Sequence, residues 1–366
     1  MKPVAVLGAS GFVGVRLVEM FHLGGRAPVR PIVHRPASLA ALARFQLDCR
    51  LANYSDPSAL STALEGCDTL VHLATADANI IREMTTPVYE AAAHAGVRRI
   101  VFASSASVHG QAPAAGTTEH SPLPHRHVFP YNAAKAEAEK RLLAARARGP
   151  VELVILRPGI VWGPRSRWVT DTVQAALAGT FGWLDGGRGI INPIYVDNFV
   201  QAIDRARAAD VDGKVFLLND PNPATWREFF TPWLKACGLD AKNVPDAPPF
   251  VPARGLRAKF ESLRVHPLAQ RLAPNIPGVL KRSAKAVVAS LSEPPAPNPF
   301  FGLDNRASVQ PAQLTKEMTE LLRCAWRFPV EPARTHLGWS PMVDWETAVE
   351  RTLGWLRFAE MLPPKF

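Results

Sequence analysis

The chain contains 366 residues, 47% of them hydrophobic, and carries a formal net charge of +10 at pH 7. This length is typical of two domains, and the apolar content is ample for a sizeable core. Four scattered cysteines without a C-x-x-C pair argue against a disulfide framework or a zinc site, and there is no apolar run of about 20 residues that would span a membrane.

The apolar run Val4–Leu7 predicts a buried first strand, which leaves no room for a signal peptide and favours a cytoplasmic location. The glycine segment Gly8-Ala-Ser-Gly-Phe-Val-Gly14 follows it, and a helical stretch runs from Val15 to about Leu23. Strand, glycine turn and helix is the context of a dinucleotide fingerprint, because glycines let backbone amides approach a pyrophosphate at a helix N-terminus. The spacing here is G-x-x-G-x-x-G rather than the standard G-x-G-x-x-G.

The second predicted strand, Val29–Val33, is followed by His34 and Arg35 rather than by an acid. An Asp or Glu at this point accepts a hydrogen bond from the ribose 2′-hydroxyl of NAD, whereas an Arg pairs with the 2′-phosphate of NADP. The Arg35 guanidinium suits bidentate phosphate contact. NADP is therefore favoured over NAD, unless Arg35 is only a solvated loop residue.

Two later strands are predicted, one over residues 68–74 and one that begins at Arg99 and ends in a run of serines. A helix is predicted over 131–148 from its content of Ala, Glu, Lys, Arg and Leu. Tyr131 and Lys135 lie four residues apart on this helix and so share one face. A cation near a phenol favours the phenolate and lowers its pKa from about 10, which produces a general acid/base.

The alternation of strands and helices up to about residue 160 predicts a parallel sheet. A strand over 153–156 leads to Trp162, where the chain is expected to leave the sheet. It returns near 194–196, and a helix over 197–208 and a strand over 215–218 follow.

These motifs, in this order, resemble those of the extended short-chain dehydrogenases/reductases, also called the NAD-dependent epimerase/dehydratase family. The resemblance covers residues 1 to about 220 and returns from about Phe328 to Phe358. It implies an α/β fold, with a Rossmann-type doubly wound parallel sheet and a smaller, discontinuous, mostly helical substrate domain. The dinucleotide-binding domain would comprise residues 1–162 and 194–220, and the substrate domain residues 163–193 and 221–366.

The resemblance implies three catalytic residues. Tyr131 would be the acid/base, Lys135 would lower its pKa and hold the nicotinamide ribose, and Ser105 would hydrogen-bond the reacting oxygen, with Ser104 and Ser107 as close rivals. His109 replaces a tyrosine that is usual in the family. The implied cofactor-binding residues are Gly8, Ser10, Gly11, Phe12, Val13, Gly14, His34, Arg35, Leu73, Ala74, Tyr131, Lys135, Pro158, Gly159, Ile160 and Val161.

No metal site is expected. His120, His125 and His127 form a loose group before Tyr131 that fits a polar loop over the active site better than a ligand set. The family chemistry is hydride transfer at a secondary alcohol or ketone. Ala106 and Ser107 stand where a dehydratase of this family typically carries Asp and Glu, so 4,6-dehydration is not expected.

Three functions remain open at this point. The first is an NAD(P)-dependent oxidoreductase or epimerase of a nucleotide-linked sugar, a class that suits the positive net charge because such substrates are anionic. The second is an NADP-dependent reductase or dehydrogenase of a hydrophobic, sterol-like or isoprenoid, alcohol or ketone. The third is a non-catalytic NADP-binding sensor or scaffold.

A basic, proline-rich insertion is predicted at about 243–311, with Arg and Lys interleaved among Leu and Phe. Three interpretations of this insertion are open. It is a helical cap with a solvated basic face, a lid for an anionic or lipid-linked substrate, or a surface for peripheral contact with the inner membrane face. Nucleic-acid binding is not favoured, because no reader motif accompanies the charge. A homodimer is expected through the helices near 82–95 and 131–148, which are rich in alanine.

Overall fold

The computed structural model describes residues 1–75, 77–251, 311 and 313–363. The strands are β1 (Val4–Leu7), β2 (Val29–Val33), β3 (Arg50–Leu51), β4 (Thr69–His72), β5 (Arg99–Ala103), β6 (Glu152–Pro158), β7 (Ile160–Trp162), β8 (Pro193–Tyr195) and β9 (Val215–Leu218). The helices are α1 (Phe12–Leu23), α2 (Pro57–Leu64), α3 (Ala78–His94), α4 (Pro130–Arg146), α5 (Arg167–Leu177), α6 (Val196–Ala208), α7 (Trp226–Ala236), α8 (Lys316–Leu322), α9 (Glu331–Leu337) and α10 (Trp345–Phe358).

Seven strands form one parallel sheet in the order β3-β2-β1-β4-β5-β6-β9. Every residue of β1 and β4 is buried, because helices cover both faces of the sheet. The strand order reverses between β1 and β4, and in such sheets ligands bind beyond the carboxyl ends of the strands at this switch point. The predicted α/β fold with a doubly wound parallel sheet is confirmed.

The predicted elements agree with the structure except at their ends. β1, β2 and β9 have the predicted bounds. Helix α1 begins at Phe12, three residues before the predicted start, because Gly11 already serves as its cap. The strand predicted from Arg99 ends at Ala103, since the side chain of Ser105 caps a short 3₁₀ turn, Ala106–His109, and so takes the chain out of the sheet.

Two apolar cores lie on the two faces of the sheet. On the first face α1 and α6 pack against the strands through residues such as Phe21 and Phe199. On the second face α2, α3 and α4 pack through residues such as Leu60, Val88 and Leu142. The first core also contains three residues from the tail of the chain, Ala333, Leu337 and Trp339.

A third core contains α5, α7, α8 and α10 beside the two-stranded sheet β7–β8. Its centre is Trp162, whose ring centroid lies 4.9 to 5.8 Å from those of Tyr195, Phe229, Trp233 and Trp345. This arrangement accords with a mostly helical substrate domain, although α9 lies in the predicted range of that domain and packs on the sheet. The division of the chain at 162, 194 and 220 stays a prediction.

The insertion predicted at about 243–311 lies outside the described residues, except for 243–251 and Pro311. At its start, the N–H of Trp183 donates to the carbonyl of Pro245 at 2.9 Å. After it, the N–H of Leu314 donates to the carbonyl of Pro248 at 3.0 Å, so the chain re-enters beside the point where it left. Among the described helices, none is both long and apolar enough to cross a membrane.

Candidate active site

The glycine turn between β1 and α1 leaves no room for side chains at two of its three glycines. Gly8 has a φ of +88°, and a Cβ there would lie 2.6 Å from the nitrogen of Ala74. A Cβ on Gly14 would lie 2.2 Å from the carbonyl oxygen of Gly8. Gly11 caps α1 without a side chain, so no side chain competes with a ligand for the first N–H groups of the helix. The turn therefore fits the pyrophosphate of a dinucleotide.

Ser105 and Tyr131 line one cavity at the carboxyl ends of the strands. Ser105 follows β5, and its Oγ lies 2.8 Å from the Oγ of Ser107, which lines the same cavity. Tyr131 lies in the first turn of α4, which begins at Pro130, a residue whose fixed φ suits the first helical position. The side chains of Ser105 and Tyr131 thus border the same cavity.

Lys135 lies one turn further along α4 and is almost completely buried, at 1% exposure. Its Nζ donates a hydrogen bond to the carbonyl of Ala103 at 2.8 Å and lies 4.8 Å from the ring centroid of Phe102. Burial lowers the pKa of Lys135 to about 8, and the nearby Glu139 only partly opposes this. Lys135 does not line the cavity, and its ammonium lies 6.0 Å from the ring centroid of Tyr131.

The pKa of Tyr131 differs from the expectation that Lys135 lowers it. Burial raises this pKa to about 12, and the negative charge of Glu317 adds to the effect. The Tyr131 residue keeps 36% of its surface open. That open part borders the cavity, so protein surrounds the phenol on its other sides and desolvation dominates. Lys135 acts from 6.0 Å, through an ammonium that already donates to a carbonyl oxygen, and does not reverse the shift.

A buried ion pair lies near the end of β6. Arg157 donates to Glu139 at 2.6 Å, and its Nη1 lies 3.0 Å from the Nε2 of His109 and 3.1 Å from the carbonyl of Glu119. Burial and the charge of Arg157 lower the pKa of His109 to about 4. His109 is therefore a neutral hydrogen-bond acceptor for Arg157. This contact gives a structural role to the histidine that stands in place of the tyrosine usual in the family.

Four of the predicted cofactor-binding residues, Pro158 to Val161, line the cavity. A Cβ on Gly159 would lie 1.9 Å from the carbonyl oxygen of Asn192, which also lines it. Only glycine lets the chain between β6 and β7 pass this carbonyl.

The other predicted cofactor residues lie around the switch point. Ala74 adjoins Gly8, and Leu73 and His72 precede it at the end of β4. His72 is buried, and among the described residues its Nδ1 has no hydrogen-bond partner, although it lies beside the predicted cofactor groove. His34 and Arg35 are exposed after β2, and Arg35 forms no ion pair within the described part of the chain.

The cavity has a volume of about 290 Å³ and a mostly apolar wall. None of its described lining residues is a Lys or Arg, and its one carboxylate is Glu317. Several lining residues were not predicted as site residues from the sequence, because they come from separate segments and share no motif or spacing. They are Gln111, Pro113, Trp168, Ile190, Trp226, Glu317, Met318, Leu321, Cys324 and Phe328.

The three histidines before Tyr131 do not converge. His120 and His125 are exposed, whereas His127 is buried, and none of them lines the cavity. Across residues that the structure describes, there is no group of three or more His, Cys, Asp or Glu that could hold a metal ion.

Comparison with known proteins gives consistent results. The model of the NAD dependent epimerase/dehydratase family matches residues 4–218. The 4-hydroxy-2-methyl-3-oxo-4-farnesyl-3,4-dihydroquinoline-1-oxide ketoreductase of Stigmatella aurantiaca is 29% identical over 70% of this chain and 79% of its own. The sterol-4-alpha-carboxylate 3-dehydrogenase of Candida albicans is 23% identical over 97% of this chain and 98% of its own.

The solved structure of MoeE5 in complex with UDP-glucose and NAD has a similar fold. Its TM-score is 0.67 at 20% identity, and the match covers 98% of this chain and 99% of MoeE5. At this identity the likeness concerns the fold alone.

Proposed function

The chain belongs to the NAD-dependent epimerase/dehydratase family, and on this premise we propose that it is an NAD(P)-dependent reductase or dehydrogenase that interconverts a ketone and a secondary alcohol on a hydrophobic molecule. The observation that carries the proposal is the wall of the cavity beside Ser105 and Tyr131. It is mostly apolar, and its described residues include no cation.

A nucleotide-linked sugar would bring a diphosphate to this site. Buried phosphates require cations or several charge-assisted hydrogen bonds, because desolvation of the charge is costly. The described lining offers Glu317 instead, whose negative charge would repel a phosphate. The names of the two enzyme relatives denote substrates with a large apolar part, a farnesyl-bearing ketone and a sterol that carries a carboxylate.

One observation favours the nucleotide-sugar function as a second candidate. A neighbouring cavity of about 390 Å³ shares Ile190 and Cys324 with the first and is lined by Arg188 and Arg323. Arg323 already pairs with Asp185 at 2.9 Å, which leaves Arg188 as the available cation there. A single guanidinium in an open cavity is weak support for a diphosphate site, so this function ranks second.

The proposed mechanism uses the hydroxyls of Ser105 and Tyr131 and the ammonium of Lys135. Ser105 and Tyr131 both donate hydrogen bonds to the carbonyl oxygen of a bound ketone. The reduced nicotinamide, when bound, supplies the hydride for the carbonyl carbon. Tyr131 then gives its proton to the developing alkoxide, Ser105 stabilises the charge on that oxygen, and Lys135 stabilises the phenolate that remains. With its pKa raised to about 12, Tyr131 holds at neutral pH the proton that this step requires.

We further propose NADP as the preferred cofactor. The residues after β2 are His34 and Arg35, both exposed, with no acid to accept a hydrogen bond from a ribose 2′-hydroxyl. Arg35 is free to pair with a 2′-phosphate.

The experiment is a substrate screen of the full chain. A 3-ketosteroid and a farnesylated ketone are tested for oxidation of NADPH and of NADH, while UDP-glucose is tested for epimerisation. We expect reduction of at least one apolar ketone and no turnover of UDP-glucose. Turnover of UDP-glucose alone would establish the second candidate. Tight binding of NADPH without turnover of any compound would favour the non-catalytic sensor.

A further inference from the structure

Glu317 has an unusual place in the catalytic cavity. It lies on α8, after the predicted insertion, and is the one acid among the described lining residues. The Nε2 of Gln111 donates to its Oε1 at 2.8 Å. No donor within the described ranges contacts its second oxygen, which is left for a ligand.

Among the residues that the structure describes, no cation balances the charge of Glu317. Burial raises its pKa, and the neighbouring Glu320 raises it further, whereas the only opposing influence is the hydrogen bond from Gln111. A carboxylate in an apolar wall is costly unless it is hydrogen-bonded or paired. The presence of this carboxylate beside Tyr131 is explained if a bound ligand donates a hydrogen bond to its second oxygen.

Glu317 also lies close enough to the reaction centre to influence it. The side chains of Glu317 and Tyr131 line the same cavity, and the carboxylate charge contributes to the raised pKa of the phenol. A substrate group held by Glu317 would therefore lie near the carbonyl that Tyr131 protonates.

We propose that Glu317 is a specificity-determining residue, which accepts a hydrogen bond from a hydroxyl or N–H group near the reacting carbonyl and excludes substrates that carry a negative charge there. This inference rests on the proposed function and deepens it. The substrate class becomes a neutral apolar ketone with a nearby hydrogen-bond donor. This inference is opposed to the sequence-based expectation of an anionic substrate, which stays a prediction.

The test uses three ketones with the same alkyl chain and, two carbons from the carbonyl, a hydroxyl, a methoxy or a carboxylate group. For the wild type we expect kcat/KM for the hydroxy ketone to exceed that for the methoxy ketone roughly 10- to 100-fold, as for loss of a hydrogen bond to a charged group. The carboxylate should be the poorest substrate. In Glu317→Gln the ratio of kcat/KM for the hydroxy ketone to that for the methoxy ketone should decrease, and kcat/KM for the carboxylate ketone should increase.

Glu320→Gln is the matched control, because it removes the same charge from the same helix outside the cavity lining. It should keep the wild-type order of the three ketones. Thermal melting of both variants checks that they are folded. Equal rates for the hydroxy and methoxy ketones in the wild type, or an unchanged order in Glu317→Gln, would overturn the inference.

Binding of the same ketones, measured as a thermal shift in the presence of NADPH, separates this inference from the proposed function. Selective binding without turnover would refute the proposed reductase and leave the role of Glu317 standing. Turnover without selectivity, in rate or in binding, would refute the role of Glu317 alone.

Discussion

A phenol releases its proton only where its charged form is stabilised, and around Tyr131 burial and Glu317 act against that form. Lys135 is the nearby cation on α4, but its Nζ also donates to the carbonyl of Ala103. The phenol is thus protonated at neutral pH, but its raised pKa also makes it a weaker acid than a free tyrosine. In the proposed reduction Tyr131 gives its proton to the developing alkoxide, and Lys135 is the cation that would stabilise the phenolate.

Replacement of Tyr131 by Phe tests this role, because it removes the phenol oxygen and little else. We expect turnover of an accepted ketone to fall by a factor on the order of 10²–10⁴, the usual effect of one positioned proton-transfer group. Cofactor affinity and melting temperature should stay close to wild type. Tyr89→Phe is the control, since its hydroxyl bonds the main chain of Val151 away from the cavity. Turnover of Tyr131→Phe within a few-fold of wild type would contradict the assignment.

Arg35 offers a second prediction, on cofactor choice. If its guanidinium pairs with the 2′-phosphate, Arg35→Ala removes a charge-assisted hydrogen bond worth roughly 1.5–3 kcal/mol from NADPH and nothing comparable from NADH. Titration of both cofactors should show the selective loss. Arg148→Ala, another exposed arginine whose guanidinium bonds the carbonyl of Ala144, should change neither affinity. Equal weakening of both cofactors by Arg35→Ala, or a wild type that prefers NADH, would refute the pairing.

Sequence reasoning could identify the reacting groups because local motifs carry them. Ser105 lies at a strand end, and Tyr131 and Lys135 share a helix face, so short spacings predict their convergence, and the structure brings Ser105 and Tyr131 into one cavity. It could not find Glu317 or Phe328, which reach the same cavity from the far end of the chain. It also could not predict the pKa of Tyr131, since that value depends on burial by distant segments.

At the scale of elements, the β1–α1 turn distinguishes structural from functional glycines. A Cβ on Gly14 would meet the carbonyl oxygen of Gly8 at 2.2 Å, whereas the closest atom to a Cβ on Gly11 is that same oxygen at 3.3 Å. The helix therefore requires glycine at 14 in order to pack. At 11 the space is nearly open, and we expect glycine to be needed there mainly for close approach of a pyrophosphate.

Two alanine variants test this distinction. Gly14→Ala should lower the free energy of unfolding by about 1–3 kcal/mol, as overpacking does, and weaken cofactor binding as a consequence. Gly11→Ala should unfold within about 0.5 kcal/mol of wild type, as most mild substitutions do, yet bind NADPH much more weakly. Urea unfolding and cofactor titration measure the two effects. Equal stability losses in the two variants, or unchanged cofactor affinity in Gly11→Ala, would refute the distinction.

At the scale of the whole molecule, the expected homodimer stays a prediction, with less support than the sequence offered. Four of the alanines expected to admit a partner helix are buried inside the chain, where α3 and α4 pack in the second core: Ala91, Ala92, Ala134 and Ala138. The two helices are also joined by an ion pair, Arg82 to Glu137 at 3.0 Å. Small residues on adjacent helices predict close packing but do not tell whether the packing lies within one chain or between two.

At this scale we also expect a pH-dependent contribution to stability from His72, which should be lost in mild acid. Burial lowers its pKa to about 3, and the charge of Lys135 adds to this effect. In the unfolded chain a histidine has a pKa of about 6.5. Between these two pH values the imidazole of His72 is protonated in the unfolded state and neutral in the folded state. The contribution of His72 to the free energy of unfolding is therefore fully present above about pH 6.5 and decreases as the pH falls below it. His109 contributes with the same sign.

For His72 alone the expected loss of unfolding free energy is roughly 2 kcal/mol at pH 5 relative to pH 8, because only the unfolded state binds the proton over that range. Urea unfolding of wild type, His72→Gln and the exposed-site control His94→Gln at both pH values measures it. His72→Gln should lose roughly 2 kcal/mol less than wild type over this interval, whatever its stability at pH 8, since glutamine does not titrate. His94→Gln should follow the wild type, because both folded and unfolded chains expose that side chain to water. An identical pH dependence in all three proteins would mean that His72 takes up its proton in the folded state, and the low pKa would then be wrong.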